Sequence, residues 1–107
     1  MKIIERLERQ AELIREFVEE LRGEVSYRGI ERLVQVIIQA LLDLGLMTIA
    51  ALRGRKPRGY SEVGSVLHEL GIINREQAEL LKAMAGLRSM LVHMYAHVNK
   101  EKVLEAS

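Results

Sequence analysis

The chain has 107 residues, 49% of them hydrophobic and 29% charged, with a net charge of +1. That balance fits one folded domain over residues 1–107 and excludes a disordered chain. There is no cysteine, which excludes disulfides and thiolate metal sites, and the near-neutral charge leaves any nucleic-acid contact to local clusters.

Aromatic residues make up only 4%, and the apolar content is mostly Leu, Ile, Val, Ala and Met, a mixture that suits helices better than sheets. Lys2, Glu5, Arg6, Glu8 and Arg9 break any apolar run at the start, so no secretory leader is expected and the cytoplasm is the expected location. From Lys2 to Arg22, the positions Ile4, Leu7, Ala11, Ile14, Val18 and Leu21 alternate spacings of three and four, the seam of a helix packed on helices. Gly23 permits a stop. A second helix is expected from Ser26, a suitable N-cap, to Leu52. It is apolar around most of its circumference, so one small chain covers it poorly and a homodimer is expected. Leu33 to Leu52 is long enough to span a bilayer, but Gln35, Gln39 and Asp43 draw one polar line along it, and the expectation is a bundle helix with no membrane contact.

Residues 53–60, RGRKPRGY, form a basic loop. A short third helix follows, with Val63, Val66, Leu67 and Leu70 on one side and Gly71 at its end. Asn74 and Gln77 have the spacing of a capping box that opens a fourth helix. That helix is expected to reach Tyr95 or His97. Asn99 is then read as the cap of a last helix, KEKVLEA, whose completion would need more residues. The expected fold is all-α, an antiparallel bundle of four to five helices in a two-fold homodimer.

The segment from Arg88 to Tyr95 concentrates the chemistry. Arg88, His93 and Tyr95 interrupt an otherwise apolar helix, and burying an Arg or a His costs free energy unless it is paired. A phosphate is one natural partner of such an Arg. A carboxylate for Arg88 and a backbone carbonyl for His93 are the plain structural alternatives. Positions five apart lie roughly 140° around a helix, so Arg88 and His93 do not share a face. They converge only if the helix loosens after Val92, if the Arg side chain reaches round, or if a second subunit supplies one of them.

Arg88, four intervening residues, His93, one residue and Tyr95 reproduce the R-x4-H-x-Y motif of the HEPN superfamily, and the chain resembles its HepT-like toxins. The long apolar second helix with Asp43, the Pro57–Tyr60–Glu62 loop, Leu67 and Leu70, and Gly71-Ile72-Ile73 resemble that family in order and spacing, over residues 28–104. The resemblance implies a helical bundle in a two-fold dimer with the motif at a cleft between subunits. It further implies a metal-independent endoribonuclease, the toxin of a type VII toxin-antitoxin module, with no cofactor. Its implied partner is a minimal nucleotidyltransferase antitoxin that attaches AMP to the motif tyrosine. Carried over by position, Arg88 and His93 are the catalytic pair and Tyr95 is the AMP acceptor. Asp43, on the polar line of the second helix, could orient Arg88 or His93 or could equally cap a buried polar cluster, and Ser89, a supporting residue beside the motif Arg, stands where the family usually has Asn, with a shorter side chain and no amide.

The implied chemistry has a physical basis. RNA carries its own nucleophile, the 2′-hydroxyl, so a base, charge stabilisation and in-line positioning suffice to cleave it. An imidazole titrates near neutral pH and can take that proton, while a guanidinium offers two donors to the phosphate as negative charge develops. The alternative within the same superfamily is a non-enzymatic binding subunit that docks on a nucleotidyltransferase and helps hold its nucleotide or substrate.

Arg53, Arg55, Lys56 and Arg58 are candidate RNA-backbone contacts, or simply a solvated loop at a helix end. His93 and His97, four apart, could hold a metal on one face. A third ligand is not evident, and no metal is expected. His68 reads as a surface residue.

Overall fold

A computed structural model describes the backbone of residues 2–106 and the side chains of residues 2–94. Among the described residues there are four α-helices: α1 (Lys2–Gly23), α2 (Tyr27–Ala51), α3 (Val63–Glu69) and α4 (Arg75–Ala106). One 3-10 turn, Tyr60–Glu62, leads into α3, and no strand occurs among the described residues. The all-α expectation holds.

Helix ends follow their local chemistry. Ser26 caps α2, its Oγ accepting the amide of Gly29 at 3.0 Å. Asn74 and Gln77 form a reciprocal capping box ahead of α4, with the Gln77 amide on Asn74 Oδ1 at 2.8 Å and the Asn74 amide on Gln77 Oε1 at 3.0 Å. Gly71 closes α3 with φ +77, the left-handed residue its spacing predicts. Around it, Ile72 N–H bonds Leu67 O and Gly71 N–H bonds His68 O, each at 3.0 Å. The same pair of bonds ends α2, but there Arg53 occupies the left-handed position, at φ 54. A side chain in that conformation costs roughly 1 kcal/mol that glycine would not.

The expected break at Asn99 is absent, because α4 continues as one helix to Ala106. Residues 95–106 contain neither Gly nor Pro, and six of the twelve are Ala, Lys or Glu, so a single Asn does not stop the helix. Nor does the helix loosen after Val92.

The core lies where α2, α3 and α4 meet. Ile38, Leu42 and Ile49 of α2 pack with Val63, Val66 and Leu67 of α3 and Ala85 of α4. Leu42, Val63 and Val66 are completely enclosed, and each such side chain contributes about 1.5–3 kcal/mol of burial. Gly64 allows α3 and α4 to touch backbone to backbone, since a Cβ built on it would lie 2.5 Å from the Ala78 carbonyl oxygen.

Helix α1 lies antiparallel along α2. The two share one groove lined by Ile3 and Leu7 with Met47 and Ala50, and another lined by Leu13 and Phe17 with Gln35 and Val36. No residue of α1 is fully buried, and Ile4, expected in its seam, is 49% exposed. In the second groove Gln10 donates from Nε2 to the carbonyl of Ala40 at 2.9 Å. Helix α2 is long and apolar enough to cross a membrane by length and composition, yet it packs on α1, α3 and α4 and carries its polar line into a cleft.

Candidate functional site

Helix α4 has two apolar faces. Its inner face places Leu81, Met84, Ala85, Leu91 and Val92 against the rest of the bundle. Arg88 belongs to this inner row, one turn after Met84 and Ala85 and one turn before Leu91 and Val92. An arginine has been put where the helical period calls for a hydrophobe.

Arg88 consequently points toward α2. It borders a cleft of about 500 Å3 lined by Gln10 and Phe17 of α1 and by Gln35, Gln39 and Asp43 of α2, a size within the range of ligand-binding clefts. The three polar residues of α2 recur every four positions, so one line along the helix becomes one wall of the cleft. Gln39 Nε2 donates to Asp43 Oδ1 at 3.0 Å and to the Tyr60 hydroxyl at 2.7 Å, and that hydroxyl lies 3.4 Å from the same Asp43 oxygen. The Tyr60 ring in turn faces Arg88, whose guanidinium carbon is 4.9 Å from the ring centroid. This is cation–π distance.

Among the described residues the Arg88 guanidinium has no anion. Its Nε is buried and lacks a hydrogen-bond partner, and no ion pair to it occurs among the described residues. A buried donor without a partner costs roughly 1–3 kcal/mol, more when charged. The carboxylate pairing that would make Arg88 purely structural is therefore missing, although Asp43 lines the same cleft.

His93 is exposed and lies on another face of α4, as the 140° separation requires. Within one chain it does not join Arg88 in the cleft. Ser89 is exposed and turned away from the inner row. The side chains of Tyr95 and His97 lie outside the described residues, and with them the His93–His97 pair. His68 is exposed on α3.

The basic loop divides. Arg55 is held by Glu69, Nε to Oε2 at 2.9 Å and Nη2 to Oε1 at 3.1 Å, and reaches Glu62 at 3.5 Å. The Arg55 hydrogen bond keeps the Glu69 carboxyl below its ordinary range. Glu62 is lowered first by the Arg58 backbone amide at 2.8 Å and then by the charges of Arg55 and Arg58. All four cations are exposed, and among the described residues Arg55 alone of them is ion-paired through its side chain, tying the loop to α3.

Tyr60, Gln10 and Phe17 were not legible as site residues in the sequence. The line of Gln35, Gln39 and Asp43 was visible, but its meeting with Arg88 and with a loop tyrosine 28 positions earlier needs the tertiary fold.

Comparison with known proteins agrees with this architecture. The family model described as Ribonuclease HepT-like matches residues 3–107. An Archaeoglobus fulgidus protein named "Putative RNase" is 36% identical over 105 residues, 98% of this chain and 79% of its own length. A second protein of that organism and name is 27% identical over 86 residues, 80% of this chain and 64% of its own. Among solved structures, the cytosolic protein of unknown function YutE from Bacillus subtilis superposes with a TM-score of 0.76 at 17% identity, over 86% of this chain and 68% of that one, a likeness of fold.

Proposed function

The chain belongs to the HepT-like ribonuclease family, and from that premise we propose that it is a metal-independent endoribonuclease whose working site is built by two copies around Arg88 and His93. The observation that carries this reading is the Arg88 guanidinium, held in a polar cleft against Tyr60 with a buried Nε and no anion among the described residues. Such a group is prepared for a phosphate.

The second copy is supported by the outer face of α4. Leu80, Ala83, Leu87, Met90 and Met94 follow spacings of three, four, three and four, and all five are exposed. Leu80 is 56% exposed, Met90 62% and Met94 53%. An uncovered stripe with this period is the seam of a helix–helix interface. His93 borders it, immediately before Met94. A partner seated there closes over His93 and can join the two groups that one helix keeps apart.

In the proposed reaction His93 takes the proton of the 2′-hydroxyl and the 2′-oxygen attacks phosphorus. The bond to the 5′-oxygen breaks, and that oxygen receives a proton from the other subunit's His93. The products are a 2′,3′-cyclic phosphate and a 5′-hydroxyl. Arg88 stabilises the charge that develops on the non-bridging oxygens. Arg53, Lys56 and Arg58 give RNA a screened electrostatic approach.

In the same reading the protein is the cytoplasmic toxin of a type VII module. A minimal nucleotidyltransferase antitoxin restrains it by moving AMP from ATP to the Tyr95 hydroxyl, with pyrophosphate leaving. The added phosphodiester would sit on the same helix as Arg88 and His93 and compete with RNA for them. The separation of His93 from the Arg88 cleft within one chain is what favours the second reading, a binding subunit that holds nucleotide for such a partner without cleaving.

Arg88→Ala and His93→Ala separate the two. For the ribonuclease, each change abolishes cleavage of single-stranded RNA, about a hundredfold or more, while melting temperature stays close to wild type. Wild-type cleavage in either variant excludes the proposed roles, and a wild-type protein that binds nucleotide but never cuts RNA selects the binding subunit.

A further inference from the structure

We propose that Tyr60 is a positioning residue for Arg88, its ring serving as the platform that fixes the guanidinium while its hydroxyl is locked by Gln39 and Asp43. The inference rests on the ribonuclease reading and extends it to a residue outside the R-x4-H-x-Y motif.

An arginine side chain has several rotatable bonds, and holding it in one orientation without a salt bridge needs another restraint. Here the restraint is the ring face, 4.9 Å from the guanidinium carbon. A ring in a loop would itself be a poor platform. Tyr60 avoids this because it begins the 3-10 turn that leads into α3, packs against the core cluster, and anchors its hydroxyl at 2.7 Å from Gln39 Nε2 and 3.4 Å from Asp43 Oδ1. Gln39 is held in turn by Asp43 at 3.0 Å. The chain of contacts runs from the rigid α2 through a phenol to the guanidinium. Asp43 thus holds Arg88 in place through Tyr60 without neutralising it, leaving its donors for substrate. The ring supplies attraction without an acceptor oxygen, so the guanidinium does not have to exchange one anion for another when RNA arrives.

Two variants divide the ring from the hydroxyl. Tyr60→Phe keeps the platform, and Tyr60→Leu keeps apolar volume but removes the aromatic face. With kcat and KM measured on one RNA, Tyr60→Phe, which keeps the ring but loses its anchor to Gln39 and Asp43, is expected to lose part of kcat, clearly less than Tyr60→Leu. Tyr60→Leu is expected to lose about tenfold to a hundredfold in kcat with little change in KM, because a misplaced guanidinium loses its effect chiefly where charge develops. Nitrogen-15 NMR of the full chain supplies a readout independent of activity. The Arg88 Nε–H resonance, assigned by its loss in Arg88→Ala, should lie upfield through the ring current in wild type and Tyr60→Phe, and return toward the ordinary arginine position in Tyr60→Leu.

Wild-type kcat in folded Tyr60→Leu overturns the inference, as does an equal loss in Tyr60→Phe. If Tyr60→Leu does not fold, an ordinary Arg88 Nε–H position in the wild-type protein overturns it alone. The two readings fail differently. An Arg88→Ala enzyme that cuts RNA normally removes the ribonuclease role of Arg88, whereas a dead Arg88→Ala beside a fully active Tyr60→Leu removes only the platform.

Discussion

Arg88 takes a position on α4 that Leu or Met would fill in a purely structural helix, between Ala85 and Leu91, and its Nε is left without a partner. Selection for stability alone would not keep it there, because a hydrophobe in that row would add burial and remove an unsatisfied donor. Tyr95 belongs to the same residue scale. Tyr95→Phe removes only the hydroxyl that would accept AMP. The variant should keep at least part of its nuclease activity, escape the partner and remain toxic on co-expression. Mass spectrometry of the wild-type protein purified with a competent nucleotidyltransferase and ATP should place the adenylate mass on the peptide containing Tyr95. Mass on another residue, or none, excludes the switch. The motif itself was fully legible as Arg88, His93 and Tyr95, because it is a local spacing. The cleft was not, because it joins α1, α2, α4 and a loop residue through contacts that no spacing encodes.

Helix ends were the most legible elements. Ser26, Gly71 and the Asn74–Gln77 box act through side chains and backbone within a few residues, so the sequence contains the whole interaction. Asn99 misled for a related reason: Asn favours caps, yet nothing after it breaks a helix, and α4 continues. The two faces of α4 were harder to read. The inner and outer rows interleave, and periodicity alone cannot say which is covered by the same chain. Packing between elements makes its own prediction at Gly64. Gly64→Ala would set a methyl against the Ala78 carbonyl and should destabilise by about 1–3 kcal/mol through overpacking. Gly86→Ala is the control, a helix-interior glycine with nothing within 4 Å of the added methyl, and should stabilise by roughly 0.5–1 kcal/mol. Urea unfolding of both variants checks the pair. Equal stability in Gly64→Ala would mean that α3 and α4 are not in backbone contact.

At the scale of the whole molecule, one chain covers the α2–α3–α4 core but leaves the outer stripe of α4 open. Light scattering with size exclusion should report twice the 12.2 kDa chain mass at micromolar concentration. Leu87→Glu combined with Met90→Glu should give folded monomers without nuclease activity. A wild-type monomer that cleaves RNA would show that one chain suffices and that the composite site is wrong. The central proposal, RNA cleavage by the substrate's own 2′-hydroxyl without a metal, is tested most directly by the ends of the cut strand. A defined single-stranded RNA is incubated with the purified protein in excess EDTA, and the fragments are analysed by mass spectrometry. Cleavage that persists and leaves a 2′,3′-cyclic phosphate on one fragment and a 5′-hydroxyl on the other is the expected result. Cleavage that stops on chelation and returns with a divalent cation, or fragments bearing a 5′-phosphate, would contradict it.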